Sequence, residues 1–410
     1  MGVTLIALSL LGLRDGRAQA TSRPRHALSA AILQRAARIH WTPALVDELI
    51  DRMPKVETHV HLDGSLRPRT IQRLAVRQRL EPFADETLGR IRAETVVDKP
   101  LGSLARVLRI FGAIEPLLRD PESLEDAAYR VIARADRQKI RYLELRFAPA
   151  LNTSSHFSDE QALRSVLRGV ERGRRDFGVD TGVIICLMRP FKLVSRRRNE
   201  KMLDLAIRYR GRGVVGIDLA GDEAAQPLSD YRDFYRRARL AGLHTTVHAG
   251  EVPGSPDLRT AVNIGVDRIG HGVFLSQDPA LTRRAKARGI FIEVNPTSNV
   301  RTGAVRSLAA HPAKRWHREG VPITISTDDP GLFGIDLNHE YRALAHDMGF
   351  KPLDLLAVSY QGIDALFATE AEKRRLRTRF EAEILATLDA LARTSGRDAA
   401  SRASVTSSVK

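Results

Sequence analysis

GVVGIDLAGDEAAQPLSDYRDFYRRARLAGLHTTVHAGE, residues 213–251, holds two short apolar, β-branched runs at 213–223 and 243–251, separated by an amphipathic stretch of helical length at 229–242. Apolar runs of this length read as buried strands, and a helix between two of them returns the chain so that the strands lie parallel. Outward from this unit the pattern repeats. Runs at 139–149, 181–190, 266–274, 289–299 and 321–330 have the same strand character, and 158–177, 199–211 and 278–288 the same helical character. With PKVETHVHL (54–62) ahead of them the strands number eight, which predicts an α/β fold of the (β/α)8 TIM-barrel type. The segment 66–138 shows no strand pattern and predicts a helical insertion after the first strand, placed as a lid over the barrel mouth. Residues 338–392 are helical in pattern and rich in Arg and Glu, which predicts extra C-terminal helices. The folded domain is expected over 43–394, with 1–42 as a signal-like or disordered extension and SGRDAASRASVTSSVK (395–410) as a disordered tail.

The bulk composition narrows the function. The 410 residues are 43% apolar and 28% charged, enough to build a large core. The formal charge of +16 is spread along the chain in short runs such as SRRRNEK (195–201), the pattern of solvated helix faces. Aromatic residues are 5%, and no basic run is interleaved with them as in proteins that stack single-stranded bases, so no nucleic-acid partner is expected. Cys186 is the only cysteine, which excludes an intramolecular disulfide and a thiolate zinc cluster. The run VTLIALSLLGL (3–13) has signal-peptide length but no preceding Lys or Arg, and it is too short to span a bilayer. The expectation is a cytoplasmic protein with no membrane partner, export being the alternative if that run is a signal.

In a barrel of this kind the active site stands at the C-terminal ends of the strands. The polar residues there are His59, His61 and Asp63 after the first strand, Gly221, Asp222 and Glu223 after the fourth, and His248 and Glu251 after the fifth. His271 follows the sixth, and Asp328 and Asp329 the eighth. Four of the chain's twelve histidines therefore share one rim. His59 and His61, at i and i+2 of a strand, face the same side. Three imidazoles and a carboxylate suit one zinc ion with a position left for water, which assigns His59, His61, His248 and Asp328 as ligands and leaves Glu251 and His271 for proton transfer. No lysine occurs in 213–223 to bridge a second metal, so one ion per chain is expected.

Six segments together, PKVETHVHLDGSL (54–66), GIDLAGDE (216–223), HAGE (248–251), RIGHG (268–272), EVNPTSNVRTGAV (293–305) and ISTDDPGLF (325–333), resemble the adenosine deaminase family of the amidohydrolase superfamily. The resemblance implies hydrolytic deamination of adenosine and 2′-deoxyadenosine to the inosine compounds and ammonia, a purine-salvage reaction on a small nucleoside. It implies the same zinc ligands, with Glu251 donating a proton to purine N1 and His271 orienting and deprotonating the water and steadying the developing alkoxide. It places Asp329 on N7, the Gly221 N–H on N3 and Asp63 on a ribose hydroxyl, and it counts His61 among the substrate contacts and Asp328 among the catalytic groups. Thr58 and Asn295 depart from the usual family residues, as does the long N-terminal extension. A 5′-modified adenosine, such as methylthioadenosine or aminodeoxyfutalosine, is the alternative substrate. Cytidine-type deaminases require a Pro-Cys-x-x-Cys zinc site, which a single cysteine cannot supply. A barrel kept only for binding would leave Glu251 and His271 free to drift, and both stand in intact motifs.

Overall fold

Nine short β segments, all paired in parallel, occupy eight strand positions in the computed structural model, which describes residues 27–101, 104–190 and 194–407. They are β1 Lys55–His61, β2 Ile140–Phe147, β3 Asp180–Met188, β4 Val214–Ala220, β5 His244–Thr245, β6 His248–Ala249, β7 Arg268–His271, β8 Phe291–Val294 and β9 Ile323–Ile325. β1 to β5 form one sheet and β6 to β9 another. The seams are closed by backbone hydrogen bonds. Thr246 N–H donates to Ile217 O at 2.9 Å and Gly270 N–H to Val247 O at 2.8 Å, so β5 and β6 are one strand position broken at its centre. At the other seam Asp328 N–H donates to His59 O at 3.0 Å and His61 N–H to Asp328 O at 2.8 Å, which joins the chain beyond β9 to β1. The (β/α)8 architecture read from the sequence is the one observed.

The local reasons are ordinary. Val, Ile and Leu fill strands buried on both faces, as in β3, where every residue from Val183 to Met188 is in the core. The helix Asp159–Phe177 begins with a capping box in which Ser158 and Gln161 satisfy each other's backbone N–H. It packs on Pro121–Arg137 of the insertion, and Gly169 permits the approach, because a Cβ there would overlap the Glu125 carbonyl.

The insertion after β1 is helical, with segments Pro68–Gln78, Leu88–Thr95, Leu104–Ile114 and Pro121–Arg137. Val97 and Val107 from this segment join Leu332, Phe333 and Ile335 in a small apolar cluster separate from the main core. This ties the insertion to the loop after β9, at the barrel mouth. Helices Leu337–Arg342, Pro352–Ala365 and Glu370–Ser407 follow β9.

Helical structure lies beyond both expected boundaries. Residues before 43 are not all extension: Ala30–Ala36 is a helix capped by Ser29, and Ile32, Ala36 and Ile39, at i, i+4 and i+7, are buried against the body of the protein. Arg35 pairs with Asp389 of the C-terminal helix at 2.8 Å. The apolar run at 3–13 lies outside the described residues. At the other end the backbone stays helical to Ser407, past the tail boundary at 395, because Ala, Arg and Ser there offer no proline and only Gly396 to interrupt it. Among the described residues no helix is long and apolar enough to cross a membrane.

Candidate active site and metal cage

His59 Nε2 and Asp328 Oδ1 lie 3.0 Å apart, His61 Nε2 and Asp328 Oδ1 3.4 Å, and His61 Nε2 and His248 Nε2 3.2 Å. These four ligand atoms all fall within 4.8 Å of one another. Their protonation follows from the groups behind them. His59 Nδ1 is 2.7 Å from Glu293 Oε2, and His248 Nδ1 is 2.9 Å from Asp218 Oδ2, so each ring donates Nδ1–H outward and turns the Nε2 lone pair inward. Burial depresses the basicity of His61, and it lowers the His248 pKa to about 4, whereas at His59 burial is outweighed by the Asp328 and Glu293 carboxylates, which raise its pKa while no cation is bound. Lone pairs and a carboxylate oxygen converging at such distances repel unless a cation lies between them. His59 Nε2 is fully buried without a well-formed hydrogen bond, so the donor set fits a divalent metal.

Arg146, fully buried, ties the two outer carboxylates together. Its Nη1 donates to Asp218 and its Nη2 to Glu293, each at 3.0 Å. Arg268 adds Nε to Glu293 Oε1 and Nη2 to Glu144 Oε2, both at 2.5 Å. Burial opposes ionisation of Asp218 and Glu293, yet the guanidinium and imidazole partners hold both carboxyls well below the usual range. Sequence reading missed this shell. Each member sits inside an apolar strand, and that was the available signal, since an indoor charge requires a partner.

Above the cage lies a cavity enclosing about 770 Å³, open solvent at its mouth included. His61, Asp63, Gly221, His248, Glu251, His271, Asp328 and Asp329 all line it. His59 sits beneath, completely buried. Of the expected rim residues two face elsewhere. Asp222 accepts the Ala224 N–H at 2.9 Å, and Glu223 accepts the backbone N–H groups of Gly250, Glu251 and Val252 at 2.8, 3.0 and 3.1 Å. Glu223 thereby holds the turn that carries Glu251.

Two carboxyl oxygens in the cavity, Glu251 Oε1 and Asp329 Oδ1, are buried without a hydrogen-bond partner. Burial raises the Glu251 pKa, and burial with the neighbouring Asp328 raises that of Asp329 well above the carboxylate range. Gly64 allows Asp329 its place, because a Cβ at residue 64 would overlap Asp329 Oδ1. Glu251 Oε2 stands 3.7 Å from His271 Nε2. His271 and Asp328 both hold left-handed backbone, φ 63° and 61°, a strain characteristic of functional positions. Glu115, from the insertion, also lines the cavity; burial, with Glu115 adding to it, raises the Asp63 pKa to about 6.

A parallel barrel with a His/Asp cage beneath a cavity at its strand ends is the architecture of an amidohydrolase-type enzyme. Residues 54–383 match the family profile described as adenosine deaminase, and the chain belongs to that family. It is a deaminase, a hydrolase. It is 35% identical to an adenosine deaminase of Serratia proteamaculans over 328 residues, covering 80% of this chain and 97% of that protein. Among solved structures, an amidohydrolase of Burkholderia ambifaria with bound zinc is 27% identical with a TM-score of 0.75, covering 91% of this chain and 98% of that one. The N6-mAMP deaminase of Arabidopsis is 27% identical with a TM-score of 0.72, covering 81% and 99%.

Proposed function

We propose that the protein deaminates adenosine and 2′-deoxyadenosine hydrolytically, with one zinc ion held by His59, His61, His248 and Asp328. The observation that carries this reading is the pair of unpartnered, buried carboxyl oxygens of Glu251 and Asp329 above the cage. Purine N1 and N7 are acceptors, and a carboxyl kept protonated by burial can donate to an acceptor. When bound, the metal supplies a water acidic enough to attack at neutral pH. Glu251 gives a proton to N1, which localises the ring double bonds and makes C6 electrophilic. Asp329 donates to N7, the Gly221 N–H faces N3, and Asp63 accepts from a ribose hydroxyl. Together they hold the purine with C6 over the cage.

The 5′ end sets the substrate class. No Lys or Arg occurs among the described residues lining the cavity, while Asp63 and Glu115 do. A 5′-phosphate would meet like charge, at a cost of about 1–4 kcal/mol at contact distance. The second reading, a 5′-modified adenosine, draws support from the apolar side chains of Val107, Phe111, Leu151, Met188 and Phe333 in the same lining, which would accept a methylthio group. Ammonia release from adenosine, 2′-deoxyadenosine, methylthioadenosine, adenine, adenosine 5′-phosphate and its N6-methyl derivative separates these. Adenosine should exceed the monophosphate in kcat/KM by roughly tenfold to several hundredfold. A preference for either monophosphate would defeat the nucleoside reading, and methylthioadenosine outrunning adenosine would replace it with the second.

A further inference from the structure

His271 meets the substrate cavity through Nε2, while Nδ1 points into the protein, 2.9 Å from the side-chain amide nitrogen of Asn299. Which ring nitrogen carries the proton is decided by a chain of hydrogen bonds that ends on a donor of fixed sense. The backbone N–H of Ala313 can only donate, and it lies 3.1 Å from His311 Nδ1, which therefore accepts. Burial lowers the His311 pKa to about 3, so the ring is neutral and its proton sits on Nε2. Nε2–H of His311 donates to Asn299 Oδ1 at 3.1 Å, which fixes the amide with its NH2 turned toward His271. Asn295 acts in the same sense. Its Nδ2 is 3.4 Å from the Glu293 carbonyl and 3.3 Å from His271 Nδ1, and turning that amide over would set two carbonyl oxygens against each other. Nδ1 of His271 thus faces N–H groups from two independently oriented amides.

We propose that His311 and Asn299 are positioning residues that lock His271 in the tautomer with its proton on Nε2. His271 then meets the attacking oxygen as a hydrogen-bond donor, and the proton that this oxygen gives up passes to the Asp328 carboxylate in the same cavity, not to His271. The base role implied by family resemblance needs a lone pair on Nε2 and a proton on Nδ1. That arrangement would force Asn299 to turn, His311 to move its own proton to Nδ1, and that proton to point at the Ala313 N–H. A fixed donor suits the later stage of the reaction, because the oxygen gains negative charge as the tetrahedral centre forms and Nε2–H is already aimed to stabilise it. The mechanistic consequence rests on the deaminase reading above, whereas the tautomer itself does not.

The zinc-loaded full chain, labelled with 15N in histidine, tests the tautomer directly through two-bond 1H–15N correlations, with the His271 signals assigned by their loss in His271→Gln. Wild type should show a proton-bearing Nε2 and a lone-pair Nδ1. The reverse pattern, or protons on both nitrogens, overturns the proposal whether or not adenosine is a substrate. Asn299→Asp presents an acceptor to Nδ1 and should invert the pattern, lowering kcat roughly 10²-fold with KM and bound zinc nearly unchanged. His311→Gln keeps a donor toward Asn299 Oδ1 and should retain the wild-type pattern, whereas His311→Leu should not. An unchanged His271 pattern in a folded Asn299→Asp protein would show that the chain does not set the tautomer.

Discussion

Glu251→Gln should lower kcat for adenosine by roughly 10²–10⁴ while the protein keeps its metal. Glutamine preserves the size of the side chain, and Glu251 is not among the four ligand atoms of the cage. What it loses, in the proposed mechanism, is the proton for N1. The pH dependence has a definite sign. The proposed role requires Glu251 to be protonated, and burial raises its pKa, so that form persists to higher pH than an ordinary carboxyl allows. The rate constant kcat/KM should be on its plateau below that raised pKa and fall as pH climbs through it. In Glu251→Gln this alkaline limb should vanish. Loss of metal from the variant, or a rate close to wild type, would mean that Glu251 is a ligand or a bystander.

The second large effect falls on a residue that touches no substrate. Arg146→Met should destabilise the folded protein by about 3–5 kcal/mol, the usual result of removing one partner from a buried ion pair. Arg146 is fully buried between Asp218 and Glu293, and its loss leaves Asp218 with His248 as its one imidazole partner and Glu293 with Arg268 and His59, two buried carboxylates short of a cation. Those carboxylates orient His248 and His59, so metal affinity should fall as well, by roughly 10- to 100-fold. Denaturant unfolding of the zinc-loaded proteins, paired with competition against a chelator, measures both quantities. Unchanged stability and unchanged affinity together would show that the clamp contributes neither to the fold nor to the cage.

The contrast between these two residues shows what the sequence made visible. Glu251 was legible because it stands at a strand end, three residues after a histidine, where the barrel rule places chemistry. His59 and His61 were legible through their i, i+2 spacing, and His248, His271, Asp328 and Asp329 through their strand-end positions. Arg146, Asp218 and Glu293 were not, because their partners lie 72 and 147 residues away and only the closed barrel brings them together. Glu115 escaped for a related reason. It lies in the helical insertion, where the packing of that segment over the rim, and no local pattern, decides which residues face the cavity. The break between β5 and β6 had no signal in LHTTVHAGE, whose composition is that of a continuous strand. The terminal helix Ala30–Ala36 did carry one, the apolar spacing of Ile32, Ala36 and Ile39, which the longer unpatterned extension around it obscured.

The central claim is that one metal in the His59, His61, His248 and Asp328 cage makes this chain an adenosine-deaminating hydrolase. It is tested most directly by stripping the full-length protein of metal, titrating it with zinc and measuring ammonia released from adenosine against zinc bound. Activity should be absent in the stripped protein, rise in proportion to bound zinc and level off at one ion per chain. Ammonia release by the stripped protein, a rise continuing to two ions per chain, or no release at any loading would contradict it.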